Sequence, residues 1–176
     1  MNVADSAGKR YLWDTQKVAQ GTMMYLAVPF KMTGDDSTYN LTITVAKDRA
    51  HKRPAYIAII IPNHIQSGEG IRIQFSKTYK DENGKPYNQM ERNDPQRIPF
   101  ERCNDDICTV RISGGYIMDT QTDEKTDIFE KFMQFDHVYF TWAYPDGSHK
   151  SVTLPLDSFQ EQYKAIAQED TPAWHE

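Results

Sequence analysis

Cys103 and Cys108 are the residues whose type and spacing most directly suggest chemistry, and both stand in the stretch "IPFERCNDDICTVRIS" at 98–113. The run Asn104-Asp105-Asp106-Ile107 between them is turn-forming, with strand-like sequence on either side. A bridge here closes a tight ring, for which loop-closure entropy gives a stabilisation of roughly 2 kcal/mol. Zinc needs a second pair of ligands, and His51, His64, His137, His149 and His175 show no H-x3-5-H spacing. A redox-active pair normally has two intervening residues at a helix start, an arrangement absent here. Two free thiols in a cytosolic protein remain the alternative to a staple, so the compartment decides between them.

Other catalytic patterns are missing from the sequence. There is no G-x-S-x-G and no phosphate-binding loop, and the G-x-G at Gly68 and Gly70 lacks a third glycine and a following helix. Asp35-Asp36, Asp81-Glu82 and Asp105-Asp106 read as solvated turns without calcium-loop spacing. Asn40-Leu41-Thr42 fits the glycosylation sequon but falls in an alternating, strand-like run. Asp136 and His137 adjoin and are the first pair to consider for acid/base work, although neighbours in a strand point to opposite faces. The expectation is therefore a chain with no catalytic residue, no metal ligand and no cofactor. Tyr79, Asp81, Asn83, Lys85 and Tyr87, in a polar excursion from Lys77 to Gln96, are the residues expected to touch a partner. That excursion, with Asn83-Gly84 at its tip, is expected to be a mobile insertion.

The elements that carry these residues have the period of β-strands. Tyr39, Leu41, Ile43 and Val45 alternate with Asn40, Thr42 and Thr44; Ile71, Ile73 and Phe75 with Arg72 and Gln74; Val138, Phe140 and Trp142 with Tyr139, Thr141 and Ala143. Ala55 to Ile61 is apolar almost throughout and reads as a central strand covered on both sides. Gly21 to Phe30, Arg97 to Glu101, Thr109 to Ser113 and Ser151 to Leu154 complete about eight strands. Turns fall at Gly34-Asp35-Asp36 and at Asp146-Gly147 after Pro145. Two short peripheral helices fit the rest. One starts near Thr126 and carries Ile128, Phe129, Phe132 and Met133; the other carries Phe159, Tyr163 and Ile166 behind Asp157 and Gln160 at capping-box spacing.

These elements predict an all-β chain, an antiparallel β-sandwich or a barrel-like fold. The organisation expected is an N-terminal, irregular arm over 1–20, one β-rich domain over 21–167, and a tail over 168–176. At 176 residues one core is the default. The net charge of −5, from 20 basic and 25 acidic residues interspersed, argues against nucleic acid or anionic lipid as an electrostatically captured partner. The basic cluster from Lys47 to Arg53 reads as a solvated loop ending at Pro54. No stretch approaches the ~20 apolar residues of a transmembrane segment. The start "MNVADSAGKRYLW" has no signal-peptide pattern, leaving a cytoplasmic protein or an exported one in mature form behind an added Met1.

Several stretches in order carry a resemblance. An apolar strand ending in proline is followed by a polar turn and a strand, "YIAIIIPNHIQSGEGIRIQF"; a basic and apolar run leads into the cysteine pair, "RIPFERCNDDICTVRIS". A helix, "DIFEKFMQF", precedes an aromatic hairpin, "VYFTWAYPDGSHKSVTLPL", and a final helical element, "DSFQEQYKAI". In this order Ala55 to Ile166 resembles the C-terminal part of the invasion-associated locus B family of exported bacterial proteins. Family members often have another cysteine pair near a tryptophan in the first third; this chain has Trp13 there and no cysteine. The resemblance implies a periplasmic, outer-envelope or secreted protein in which a Cys103–Cys108 disulfide would persist. It also implies a role linked to host-cell invasion, which fits a non-enzymatic protein acting on a protein partner. The competing reading is a small-ligand carrier or an enzyme using the interior or mouth of the β-structure.

Overall fold

Alternation in the sequence becomes two-sidedness in the strands: Leu41, Ile43 and Val45 have no exposed surface, while Thr42 and Thr44 between them face outward half-buried. The computed structural model describes residues 11–32, 34, 36–62, 69–92, 95–118 and 122–170. Strands β1 (Asp14–Val18), β2 (Gly21–Lys31), β3 (Thr38–Asp48) and β4 (Tyr56–Pro62) form an antiparallel meander. The chain crosses to a second sheet with β5 (Ile71–Lys80), β6 (Pro86–Met90) and β7 (Gln96–Ile98). It returns to the first with β8 (Arg102–Cys103) and β9 (Ile107–Ser113), then forms a small ladder of β10 (Tyr116–Met118) with β11 (Lys125–Asp127). Helix α1 (Ile128–Gln134) leads into β12 (His137–Ala143) and β13 (His149–Pro155) of the second sheet, and α2 (Asp157–Asp170) follows. The sheet orders are β1-β2-β3-β4-β9-β8 and β13-β12-β5-β6, with β7 also paired to β5.

Register assembles the core. Leu26 lies beside Ile43, Ile43 beside Ile59, and Ile59 beside Val110 across the first sheet. In the second, Phe140 lies between Ile73 and Val152. Aromatic side chains join the layers: Phe30 meets Trp142 edge-on at 5.3 Å, and Phe132 of α1 lies 5.4 Å from Phe75 and 5.0 Å from Phe159 of α2. The sheets are not closed into a barrel, so the fold is sandwich-like, and the helices cover one end as expected for peripheral elements.

The described residues form thirteen strands where about eight are read from the sequence. The extra strands are short or have no apolar period. β1, "DTQKV", is exposed at every position, yet it pairs with β2 from Asp14 to Val18, which corrects the irregular reading of that part of the arm. Residues 1–10 lie outside the described residues. β4 buries its inner face, where Ile57, Ile59 and Ile61 have no exposed surface, while on its outer face only Ala58 is buried. On its outer face Tyr56 and Ile60 are half-buried, and the Arg111 guanidinium sits 4.1 Å above the Tyr56 ring in place of a second layer.

The capping box on α2 is not formed. Asp157 Oδ1 accepts from the Ser158 N–H at 2.9 Å, while Gln160 Nε2 donates to the carbonyls of Phe132 and Phe135 at 3.0 and 2.8 Å, tying α2 to the end of α1. α2 also runs past the expected domain end at 167, to Asp170, and the rest of the tail, 171–176, lies outside the described residues. Asp35, His64, Gly68 and His175 lie outside them as well.

Candidate functional site

Within the excursion from Lys77 to Gln96, residues 77–90 form a β-hairpin continuous with the second sheet. β12 pairs with β5 only over Arg72 to Ser76, whereas β6 pairs with β5 from Ser76 to Lys80, so the two strands run on as a ribbon past the sheet. Thr78 to Met90 is exposed throughout. Tyr79 and Tyr87, two of the five expected contact residues, are direct cross-strand partners with ring centroids 6.0 Å apart, and each is about half exposed, 45% and 48%. A cross-strand aromatic pair of this kind stiffens a ribbon that has no core beneath it.

Asp81, Asn83 and Lys85, all exposed, form the turn at the tip of this hairpin. Asp81 Oδ1 accepts from the N–H groups of Asn83 and Lys85 at 2.9 and 2.8 Å, and the Asp81 N–H donates to the Lys85 carbonyl at 3.0 Å. Asp81 Oδ1 thus shapes the turn. Gly84, at φ 78°, takes the left-handed conformation that closes it.

The base of the hairpin is built from residues with no sequence signal. Where β6 leaves β5, the Glu91 N–H donates to the Phe75 carbonyl at 2.9 Å and Glu91 Oε2 accepts from the Phe75 N–H at 2.8 Å. Glu91 Oε1 pairs with Lys131 Nζ of α1; their side chains are only 7% and 17% exposed. On the other edge of β5, beyond the reach of β12, Asp136 Oδ2 accepts from the Thr78 N–H at 2.6 Å. Asp136 is therefore a backbone anchor, and it is not paired with His137, whose Nδ1 is buried without a hydrogen-bond partner among the described residues.

The cysteines sit on a second, smaller hairpin. Cys103 and Cys108 are direct partners of β8 and β9, with sulfurs 2.11 Å apart, and form a disulfide. Asn104 Oδ1 shapes the turn by accepting from the N–H groups of Asp106 and Ile107, both at 2.8 Å. Cys108 is buried in the core and Cys103 is exposed at the sheet edge, so the bond pins a two-residue edge strand to the interior.

A third junction holds α1 in place. Arg53 donates to both Asp127 oxygens at 2.9 and 3.0 Å and to the Gly114 carbonyl at 2.9 Å, with its guanidinium 4.0 Å above the Tyr116 ring. Asp127 Oδ1 also caps α1 by accepting from the Glu130 N–H at 2.9 Å. The Asp127 hydrogen bond raises the Arg53 pKa. Burial pushes the Asp127 carboxyl up, but the Arg53 and Glu130 hydrogen bonds and the Arg53 charge outweigh burial and hold it below its ordinary value. This cluster is a structural clamp; all its polar atoms are turned on one another. No family model, no curated protein and no solved structure matches the chain.

Proposed function

We propose that the chain is a non-enzymatic, exported envelope or surface protein that binds a protein partner through the β5–β6 hairpin. The observation that carries this reading is the Tyr79–Tyr87 pair, two exposed rings held side by side on a ribbon anchored by Glu91, Lys131 and Asp136. Pre-positioned aromatic side chains make efficient interface anchors, because they bury large area with few rotatable bonds to freeze. The filled interior favours this over a carrier or an enzyme with an internal site: Ile43, Ile59, Phe75, Phe140 and Trp142 occupy the space between the sheets. Export is supported by the disulfide, which persists in oxidising compartments. The link to host-cell invasion comes from the resemblance of residues 55–166 to the invasion-associated locus B family.

The test compares the oxidised protein with a Tyr79→Ala/Tyr87→Ala variant in binding to host cells and to the envelope of the producing cell. The variant should unfold at the same urea concentration and bind at least about tenfold more weakly, a difference of ~1.4 kcal/mol. Unchanged binding by the variant overturns the hairpin as the contact surface. Accumulation of the native gene product in the cytosol with two free thiols overturns export.

A further inference from the structure

The outer face of the first sheet is neutral at its centre and oppositely charged at its two sides. Strand register sets Asp14, Tyr25, Thr44, Ala58 and Arg111 side by side in one row across β1, β2, β3, β4 and β9. The row begins with a carboxylate and ends with a guanidinium. Both are exposed, and neither has an ion-pair partner among the described residues. The flanking rows on β2, β3 and β4, Met23-Ala46-Tyr56 and Ala27-Thr42-Ile60, hold no charged residue. Tyr25 is 37% exposed, and Met23, Tyr56 and Ile60 are half-buried. The second sheet and both helices pack on the inner side, which leaves this face open among the described residues.

A sheet face with contiguous apolar side chains and no charge at its centre is a surface that associates. Five strands at about 4.8 Å spacing, by seven residues at about 3.4 Å rise, give a footprint of ~600 Å² per copy, which counted on both sides reaches the lower bound of a specific interface. The charge pattern selects the occupant. Two copies stack face to face about a two-fold axis lying between them, with strands either along or across that axis. An axis across the strands keeps β1 over β1 and β9 over β9, so Asp14 and Arg111 never meet. An axis along β3 reverses the strand order of one copy over the other, so each row lies on its own reverse: Asp14 meets Arg111 at both sides and Thr44 meets Thr44. Side-chain sizes fit the same arrangement, because Tyr25 then opposes Ala58, Ile60 opposes Ala27, and the space over Ala46 is bounded by a second Ala46.

We propose that this face is a two-fold interface between two copies of the chain, with β3 stacked on β3 along the axis and Asp14 of each copy paired with Arg111 of the other. The second copy supplies the outer layer that β4 lacks, and the charged pairs at the sides fix the direction in which the two sheets stack. The interface is on the opposite sheet from the Tyr79–Tyr87 ribbon and stands independently of the binding function proposed for that ribbon.

Sedimentation equilibrium of the full chain across the micromolar range should reveal a species of twice 20.4 kDa. Thr44→Lys sets two ammonium groups against each other on the axis, and Asp14→Arg, at an exposed edge position where the fold has little to lose, sets a guanidinium against Arg111. Each should weaken dimerisation about tenfold or more while circular dichroism keeps the native strand signature. Adding Arg111→Asp to Asp14→Arg exchanges the two charges and should restore the dimer. The Tyr79→Ala/Tyr87→Ala variant should dimerise as the native chain does. A monomer at every concentration, a dimer indifferent to both Thr44→Lys and Asp14→Arg, a charge exchange that fails to restore association, or a dimer lost with the two tyrosines overturns the interface.

Discussion

Glu91 and Phe75 are bonded to each other twice, once through the Glu91 main chain and once through its carboxylate, so a side chain replaces a missing rung between β5 and β6. The second carboxylate oxygen faces Lys131, which makes the base of the hairpin depend on a charge from α1. Replacing either partner leaves the other charge mostly buried. Lys131→Met or Glu91→Gln alone should therefore cost about 3–5 kcal/mol in urea unfolding. The double replacement should cost less than the sum of the two. Additive losses would show that the two charges do not stabilise each other.

Phe140 has no exposed surface and packs from the middle of the second sheet. Phe140→Ala should cost about 3–5 kcal/mol. Thr153, exposed on the neighbouring strand, provides the contrast: Thr153→Ala should stay within about 0.5 kcal/mol. Equal effects at the two positions would contradict the facing of β12 and β13.

Acid should weaken the Arg53–Asp127 clamp. Asp127 titrates below its ordinary 3.8 in the folded chain, so its contribution is complete above that value and is lost as pH falls through the lower folded one. The urea midpoint should drop as pH falls below Asp127's ordinary 3.8, and Asp127→Asn should flatten part of that drop. Asp146 is also held low, by its Ser148 hydrogen bonds, so the slope is best compared in an Asp146→Asn background. An identical pH profile for Asp127→Asn would remove the clamp from the account.

The disulfide is a modest, local stabiliser. Its ring spans Cys103 to Cys108, and ring closure of that size is worth about 2 kcal/mol. Protein prepared under oxidising conditions should weigh two hydrogen atoms less than its reduced form, and reduction should lower stability by roughly that amount without unfolding the chain. Two titratable thiols in the oxidised preparation would contradict the bridge.

The sandwich was legible in the sequence wherever burial imposed alternation. Leu41 to Val45, Ile71 to Phe75 and Val138 to Trp142 are all strand with the expected residues inside. Legibility failed where a strand has no buried face. β1 and β6 bury nothing, so they leave no period to read. At the candidate site Tyr79 and Tyr87 could be marked as aromatic residues in a polar stretch, and the cysteine pair by its spacing. Glu91, Lys131 and Asp136 could not, because each gains its role from a partner distant in sequence. The Asp157 and Gln160 spacing misled for the same reason: Gln160 turns its amide to donate to the Phe132 and Phe135 carbonyls at the end of α1 and does not accept from the Asp157 N–H.

The two sheets differ in how far the chain must travel to build them. β1 to β4 are sequence neighbours, so each of their hairpins can close on its own. Every rung between β5 and β12 instead encloses all of residues 77–136, and that loop must be closed before the rung gives any return. Folding therefore begins with the meander, and the second sheet locks late, when α1 brings Lys131 to Glu91 and β12 reaches β5. Ile43→Val in β3 should then act mainly by slowing refolding, whereas Phe140→Leu in β12 should act mainly by speeding unfolding, a contrast that appears on opposite limbs of the chevron.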